Sequence, residues 1–301
     1  MKSEKNRTID IPLSECAEYA ARCNCPCGDI TLGECTDKIY CIDFFDAAPR
    51  LPEKSFELII ADPPYNLRKD YAGEVFTAKK AEEYREFTRR WIKEICRLAT
   101  ENATVYVCCD WRTSVIAAPV LEEFFTVRNR ITWQREKGRG AAGNWKNCIE
   151  DIWFCTVGKE YYFDVNAVKQ KRRVKAPYRE NGAPKDWCEE NGESFRMTCP
   201  SNFWDDISVP FWSMPENTAH PTQKPEKLIA KLVLASSKPG DTVFDPFSGS
   251  GTTAVVCKKL GRHYTGTEKS ELYCAWSEIR LDKANDDKRI QGYENGVFVK
   301  N

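Results

Sequence analysis

The 301-residue sequence has no run of about eighteen apolar residues, so no membrane-spanning helix is expected. Met1 to Asp10 is charged and has no apolar centre of the kind a secretory signal needs, which makes a cytoplasmic location the expectation. Neither charge is in surplus: 45 Lys and Arg balance 45 Asp and Glu, and the pI is near 6.7. Whole-chain charge therefore does not advertise a polyanionic partner, and any such surface must be local. Internal repeats and low-complexity tracts are missing, and with 42% hydrophobic residues the chain is neither disordered nor fibrous. Histidine occurs only at positions 220 and 263, and a lone histidine is usually structural. Cysteine is the abundant exception at fifteen, but an odd number in a long chain without an export signal implies reduced thiols.

The charge that is present is unevenly spread. Residues 128 to 185 carry 14 Lys and Arg against 6 Asp and Glu, a net +8 that leaves −8 elsewhere. This block is the candidate nucleic-acid surface. From Lys38 onward, strand-like and helix-like segments alternate. Strands are expected at Lys38 to Ile42, Glu57 to Ala61, Ala103 to Cys108, Thr242 to Asp245 and His263 to Thr267. Phe87, Trp91, Ile95 and Leu98 mark a helix, and Leu228, Ile229, Leu232 and Val233 mark another. Residues 112 to 124 also read as helical, with Pro119 as a kink or late start, and Thr126 to Trp133 and Asp151 to Val157 as paired strands. Strands separated by helices predict a doubly wound, mostly parallel α/β sheet. The expected divisions are a cysteine-rich extension (1–37), a first half of the sheet domain (38–133), an irregular recognition insertion (134–219), a second half (220–290) and a tail (291–301).

Two segments carry the chemistry. Asp62-Pro63-Pro64-Tyr65-Asn66 follows the apolar run Leu58 to Ala61, and so lies at the carboxyl end of a parallel strand, where open α/β sheets bind ligands. Two prolines remove donors and fix φ, leaving rigid carbonyl acceptors beside a carboxylate. That set suits an amino group with a delocalised lone pair, because accepting both hydrogens localises the pair toward an electrophile, and Tyr65 can stack on a base. An ordinary turn would use the same residue types. The second segment, Asp245-Pro246-Phe247-Ser248-Gly249-Ser250-Gly251-Thr252-Thr253, joins a strand to a helix, where glycines admit a ligand to the backbone. Glu268 ends the next strand, placed to accept from ribose hydroxyls. The loop departs from G-x-G-x-x-G, since Ala254 stands where the third glycine would be, and it holds no basic side chain, so a dinucleotide or triphosphate is disfavoured.

Together these segments resemble the beta group of S-adenosylmethionine-dependent DNA amino-methyltransferases, in which the catalytic tetrapeptide precedes the cofactor loop. The resemblance runs from residue 38 to about 284 and includes His220-Pro221-Thr222-Gln223-Lys224-Pro225, similar to the family segment that leads into the helix before that loop. It implies a Rossmann-like methyltransferase sheet and transfer of a methyl group to a flipped base. By the same resemblance Asp62 and the Pro63 carbonyl would take the amino hydrogens, with Pro64 shaping the turn and Tyr65 stacking on the base. Glu268 would hold the cofactor ribose, and Asp43 lies where the family has an acidic residue near the adenine, although Ile42 stands where glycine is usual. Phe247, Gly249, Gly251 and Thr252 would surround the methionine part, with Asp245, Ser248 and Thr253 completing the loop. His220 would help to line the pocket, and Lys224 would meet the cofactor carboxylate.

DNA phosphates are expected at Arg135, Lys137, Arg139, Lys146, Lys171, Arg172, Arg173 and Lys175. Direct in-line transfer requires no metal. The cluster Cys16, Cys23, Cys25, Cys27 and Cys35 could supply thiolates to zinc, yet Cys-x-Cys-x-Cys is not a pair of Cys-x2-Cys knuckles, and free thiols are expected. The aspartate of the tetrapeptide favours adenine N6 in double-stranded DNA, since related cytosine enzymes more often carry serine there. Cytosine N4 is the alternative, a non-catalytic DNA- and cofactor-binding module a remoter one, and the order of motifs argues against a protein glutamine substrate. A cognate restriction endonuclease and a homodimer are partners the resemblance implies.

Overall fold

The computed structural model describes residues 4–71, 73–135, 142–175 and 177–299. Its centre is an eight-stranded sheet: β1 (Lys38–Cys41), β2 (Phe56–Ala61), β3 (Ala99–Cys109), β4 (Thr126–Gln134), β5 (Ile149–Thr156), β6 (Phe203–Trp204), β7 (Thr242–Asp245) and β8 (His263–Glu268). The spatial order is β1-β8-β7-β2-β3-β5-β4-β6. The first five in that order are mutually parallel, while β5 runs antiparallel to both β3 and β4. This is the doubly wound, mostly parallel sheet expected, and the expected strand pair at one side is antiparallel.

Both faces are covered, which is why β2 reads as a nearly unbroken apolar run. Leu58 and Ile60 enter one core layer and Ile59 and Ala61 the other, following the period of two. One layer is closed by α2 (Ala81–Leu98), which buries Tyr84, Thr88, Trp91, Ile92, Ile95 and Leu98 along one stripe, and by α3 (Trp111–Phe124). The Asp110 carboxylate caps α3 by accepting from the Thr113 N–H at 2.9 Å, and Pro119 lies inside a continuous helix instead of delaying its start. The opposite layer is closed by α4 (Glu226–Ser236), α5 (Thr252–Leu260) and α6 (Glu271–Asp286). Every residue of α4 is buried, a wider contact than the apolar stripe alone implied. Gly261 ends α5 at φ 72°, the left-handed turn that glycine adopts without strain.

The N-terminal extension lies against the sheet domain. Its helix α1 (Leu13–Ala20) buries Cys16 and Ala20 against Tyr273, Ala275, Trp276 and Ile279 of α6, and the Trp276 indole donates to the Ile11 carbonyl at 2.9 Å. All fifteen cysteines are free thiols, and among the described residues no group of His, Cys, Asp and Glu is arranged to hold a metal. No helix among those residues is long and apolar enough to cross a membrane.

The stretch from 134 to 219 is less irregular than its sequence implied. Besides β5 and β6, it supplies Gln170–Arg173, Cys188–Glu190 and Glu193–Thr198 to a five-stranded sheet completed by Tyr293–Glu294 and Val297–Val299 from the C-terminal end. Val297–Val299 pairs in parallel with Gln170–Arg173, so the end of the chain is an inner strand of that sheet. A buried charge cluster ties these parts to α4: Asp206 faces Lys227 at 2.9 Å and Lys231 at 3.1 Å. The Lys227 ammonium also donates to the Val299 carbonyl at 2.9 Å.

Candidate active site

The parallel register brings the carboxyl ends of four strands to one edge. Cys41 pairs with Glu268, Asp245 with Gly266, and Ala61 with Val107, so the residues just beyond β1, β2, β7 and β8 open onto common space. A cavity of about 440 Å³ occupies it, within the range of small-molecule sites. Asp43, Asp62, Pro63, Pro64, Tyr65, His220, Lys224, Phe247, Gly249 and Glu268 all line it, although they are spread over more than 220 positions of sequence.

One end of the cavity belongs to Asp62. The Lys224 ammonium donates to its Oδ2 at 2.6 Å, while its Oδ1 is shielded from solvent and carries no hydrogen bond. A buried carboxylate oxygen without a donor is costly, and the residue that carries it lines the cavity. Burial pushes the Asp62 carboxyl above its usual range, and the charge of Lys224 opposes this. Burial alone would lower Lys224, yet Asp62 and Glu150 outweigh it and keep the ammonium charged. The Tyr84 hydroxyl donates to the Pro64 carbonyl at 2.8 Å, fixing the double-proline turn from α2. Asn66 is bonded in both directions with the Lys79 backbone, at 2.7 and 3.0 Å, which roots a hairpin formed by Lys69–Tyr71 and Glu74–Phe76. That hairpin forms another wall of the cavity, and Glu74 is ion-paired with Lys269 across from it.

The other end is apolar with carboxylates at its margin. Phe247 packs edge-on against Phe44 and Trp91, at 5.6 and 5.8 Å between ring centres. Asp43 caps the short helix Phe44–Ala47 by accepting from the Phe45 N–H at 2.8 Å. Glu268 accepts from the Gly249 and Ser270 amides, each at 2.9 Å, which orients its carboxylate toward the cavity while leaving lone pairs for hydroxyl donors. Gly249, at φ 52°, lies against the His220 ring, where an added Cβ would be 3.1 Å from Nε2. Burial holds His220 down to about 3, so its imidazole is neutral.

Several expected cofactor residues have other positions. Asp245, Ser248, Thr252 and Thr253 do not line the main cavity but border an adjoining space of about 30 Å³, room for about one water. Asp245 accepts from the Phe247 amide at 3.0 Å and the Thr253 hydroxyl at 2.6 Å, so it braces the loop from behind. Gly251 is required by helix packing, because a Cβ there would come within 2.7 Å of Ser277. Lys224, expected to meet a cofactor carboxylate, has its ammonium held by Asp62 and, at 3.4 Å, by Glu150, so two carboxylates of the chain already meet its charge.

Glu150 was not anticipated. It is 5% exposed, accepts from the Tyr65 hydroxyl at 3.0 Å and from Arg135 at 2.5 Å, and joins the tetrapeptide to the basic segment. Two adjacent acidic residues near the start of an otherwise apolar strand, Ile149-Glu150-Asp151-Ile152-Trp153-Phe154, were the available signal. Arg135, expected at a DNA phosphate, is here the partner of Glu150. Lys171 is paired with Glu190 and Arg173 with Glu193, so these two are already partly neutralised. Lys146 and Lys175 are exposed and Arg172 half-buried, while Lys137 and Arg139 lie outside the described residues. Arg172, Arg173 and Lys175 share a concavity of about 320 Å³ with Lys185, Arg196, Tyr178 and Trp187.

A family model described as DNA methylase, of the N6/N4 type, matches residues 56–278. The chain belongs to this family. It is 32% identical over 248 residues to the type II methyltransferase M.HpaI of Haemophilus parainfluenzae, covering 81% of this chain and 74% of that protein. It is also 32% identical to the DNA adenine methyltransferase YhdJ of Escherichia coli K12, covering 78% of this chain and 79% of that one. Among solved structures, the M1.HpyAVI–SAM complex matches with a TM-score of 0.53 at 25% identity, covering 81% of this chain and 98% of that one. The cytosine-N4-specific PvuII DNA methyltransferase matches in fold with a TM-score of 0.61 at 16% identity, covering 83% and 90%.

Proposed function

We propose that this DNA methyltransferase transfers the methyl group of S-adenosylmethionine to the N6 amino group of adenine in double-stranded DNA. The observation that carries this reading is Asp62, a cavity-lining carboxylate with one oxygen pinned by Lys224 and the other without a hydrogen-bond partner. S-adenosylmethionine supplies an electrophilic sulfonium methyl when bound. The chain fits it: Phe44 and Phe247 offer an apolar wall, Glu268 an acceptor for ribose hydroxyls, Asp43 a carboxylate near the adenine, and Gly249 a backbone without a side chain in the way.

The chain's own groups then do the rest by positioning and electrostatics. Asp62 Oδ1 accepts one hydrogen of the target amino group and the Pro63 carbonyl the other, which directs the nitrogen lone pair toward the methyl. Tyr65 stacks on the extruded base, returning about 1–3 kcal/mol of the few that flipping costs. As the N–C bond forms, the methyl's bond to sulfur would break with its electron pair kept by the sulfur, and the nitrogen then loses a proton, for which Asp62 Oδ1 is the acceptor. Adenine is favoured by aspartate at the first position of the tetrapeptide and by the likeness to an enzyme named as an adenine methyltransferase. The likeness to a type II methyltransferase makes a cognate endonuclease the partner to seek.

The deciding experiment incubates the protein with S-adenosylmethionine and unmethylated plasmid, digests the DNA and identifies the nucleosides by mass spectrometry. N6-methyladenine supports the proposal, and N4-methylcytosine overturns the choice of base. No methylated nucleoside from protein that binds the cofactor would overturn the substrate.

A further inference from the structure

Glu150 belongs to none of the segments that the functional reading uses, yet three of them converge on it. On β5 the alternate residues Ile152 and Phe154 enter the apolar core, and the next position on that face, at the cavity end of the strand, is this carboxylate. An apolar residue would continue the pattern at lower cost, because replacing a buried ion pair by hydrophobic packing is often neutral or stabilising. The charge therefore asks for a reason beyond folding. Its Oε2 accepts from the Tyr65 hydroxyl at 3.0 Å and lies 3.4 Å from Lys224 Nζ, and its Oε1 accepts from Arg135 at 2.5 Å. Glu150 does not line the cavity, so it acts through these neighbours.

We propose that Glu150 is a positioning residue for the transfer reaction, setting the Tyr65 ring on which the base stacks and sharing the Lys224 ammonium so that Asp62 is paired less tightly and stays the stronger acceptor for the target amino group. The inference rests on the functional reading above. With Glu150, two carboxylates and two cations balance: Asp62 and Glu150 against Lys224 and Arg135. Without its charge, Lys224 is left to Asp62 alone and neutralises it more fully, the Tyr65 hydroxyl keeps at most a neutral partner, and Arg135 loses its carboxylate.

The test compares full-length Glu150→Gln and Tyr65→Phe with the unaltered enzyme on whatever DNA that enzyme methylates. For Glu150→Gln, kcat should fall at least tenfold while KM for S-adenosylmethionine stays within about twofold. The acidic limb of its kcat–pH profile should move to lower pH, because a negative neighbour of Asp62 has been removed. Tyr65→Phe removes only the hydroxyl, which helps to lower the Asp62 carboxyl, and should reduce kcat without moving that limb to lower pH. A kcat near that of the unaltered enzyme, or an acidic limb that does not move in Glu150→Gln, overturns the proposal. If Glu150→Gln does not fold, Glu150→Asp carries the test: reduced kcat with unchanged KM for the cofactor supports it, and undiminished kcat overturns it. Failure of the functional reading is distinct, since it appears as absence of turnover in the unaltered enzyme.

Discussion

Asp62→Asn is the most discriminating single substitution because the structure dictates how the new amide must sit. Lys224 lies 2.6 Å from Oδ2, and an ammonium tolerates only an acceptor there, so the amide oxygen must take that position. The amide NH2 then occupies the place of the bare Oδ1 and presents hydrogens to a target group that itself presents hydrogens. Removing one preorganised charged partner costs roughly 2.7–4 kcal/mol of transition-state stabilisation, about 10²–10³ in kcat, and the opposed donors add to this. Cofactor affinity should change by less than about threefold, because Glu268, Asp43 and Phe247 line a different part of the cavity. Asp62→Ala is less clean: it leaves Lys224 with Glu150 alone, and breaking a buried pair costs about 3–5 kcal/mol. The assay is single-turnover transfer of labelled methyl to DNA, with cofactor affinity measured by calorimetry. A variant within tenfold of the unaltered enzyme, or one that loses cofactor binding in parallel with transfer, would refute the role of Oδ1. The pH profile is a companion test. Burial raises the Asp62 carboxyl, so activity should be lost, as pH falls, at values above the ordinary aspartate range.

Other outcomes follow from the same geometry. Gly249→Ala forces a Cβ to within 3.1 Å of His220 at a left-handed φ, and should weaken S-adenosylmethionine binding at least tenfold by calorimetry; unchanged affinity would mean that the loop is not the cofactor site. Asp206→Ala strands Lys227 and Lys231 and should lower stability by about 3–5 kcal/mol in denaturant titration, with a loss under about 1 kcal/mol refuting a joint at that cluster. Lys175→Ala should reduce the slope of log binding constant against log salt by about 0.9 on duplex DNA, more than Lys171→Ala, whose charge is already met by Glu190. Burial raises Asp245 to about 7, so its contribution to stability is present below the unfolded carboxyl value and lost as pH rises through 7. Asp245→Asn should therefore gain in melting temperature relative to the unaltered protein between pH 5 and pH 8, and the opposite trend would contradict a raised Asp245.

How far the sequence could be read depended on whether a property is local. β2 and its Asp-Pro-Pro-Tyr turn were legible because burial on both faces leaves an apolar run that ends abruptly in a carboxylate and two prolines. The strand-to-helix loop from Asp245 to Thr253 was legible because strand, glycines and helix are contiguous. The Lys224 pairing was hidden for the opposite reason: its partner Asp62 lies 162 positions away, and only the assembled sheet shows that its ammonium reaches the Asp-Pro-Pro-Tyr turn. Glu150 was hidden because its meaning depends on register: Ala61 is opposite Val107 and Val107 opposite Trp153, which carries Glu150 past the end of β2 and level with the tetrapeptide. The same register makes Arg135, where the chain leaves β4 for the basic segment, part of the buried charge balance around Asp62. A change of charge where the recognition segment begins therefore bears on the electrostatics of the target amino group as well as on DNA affinity, so rate and affinity need not fall together.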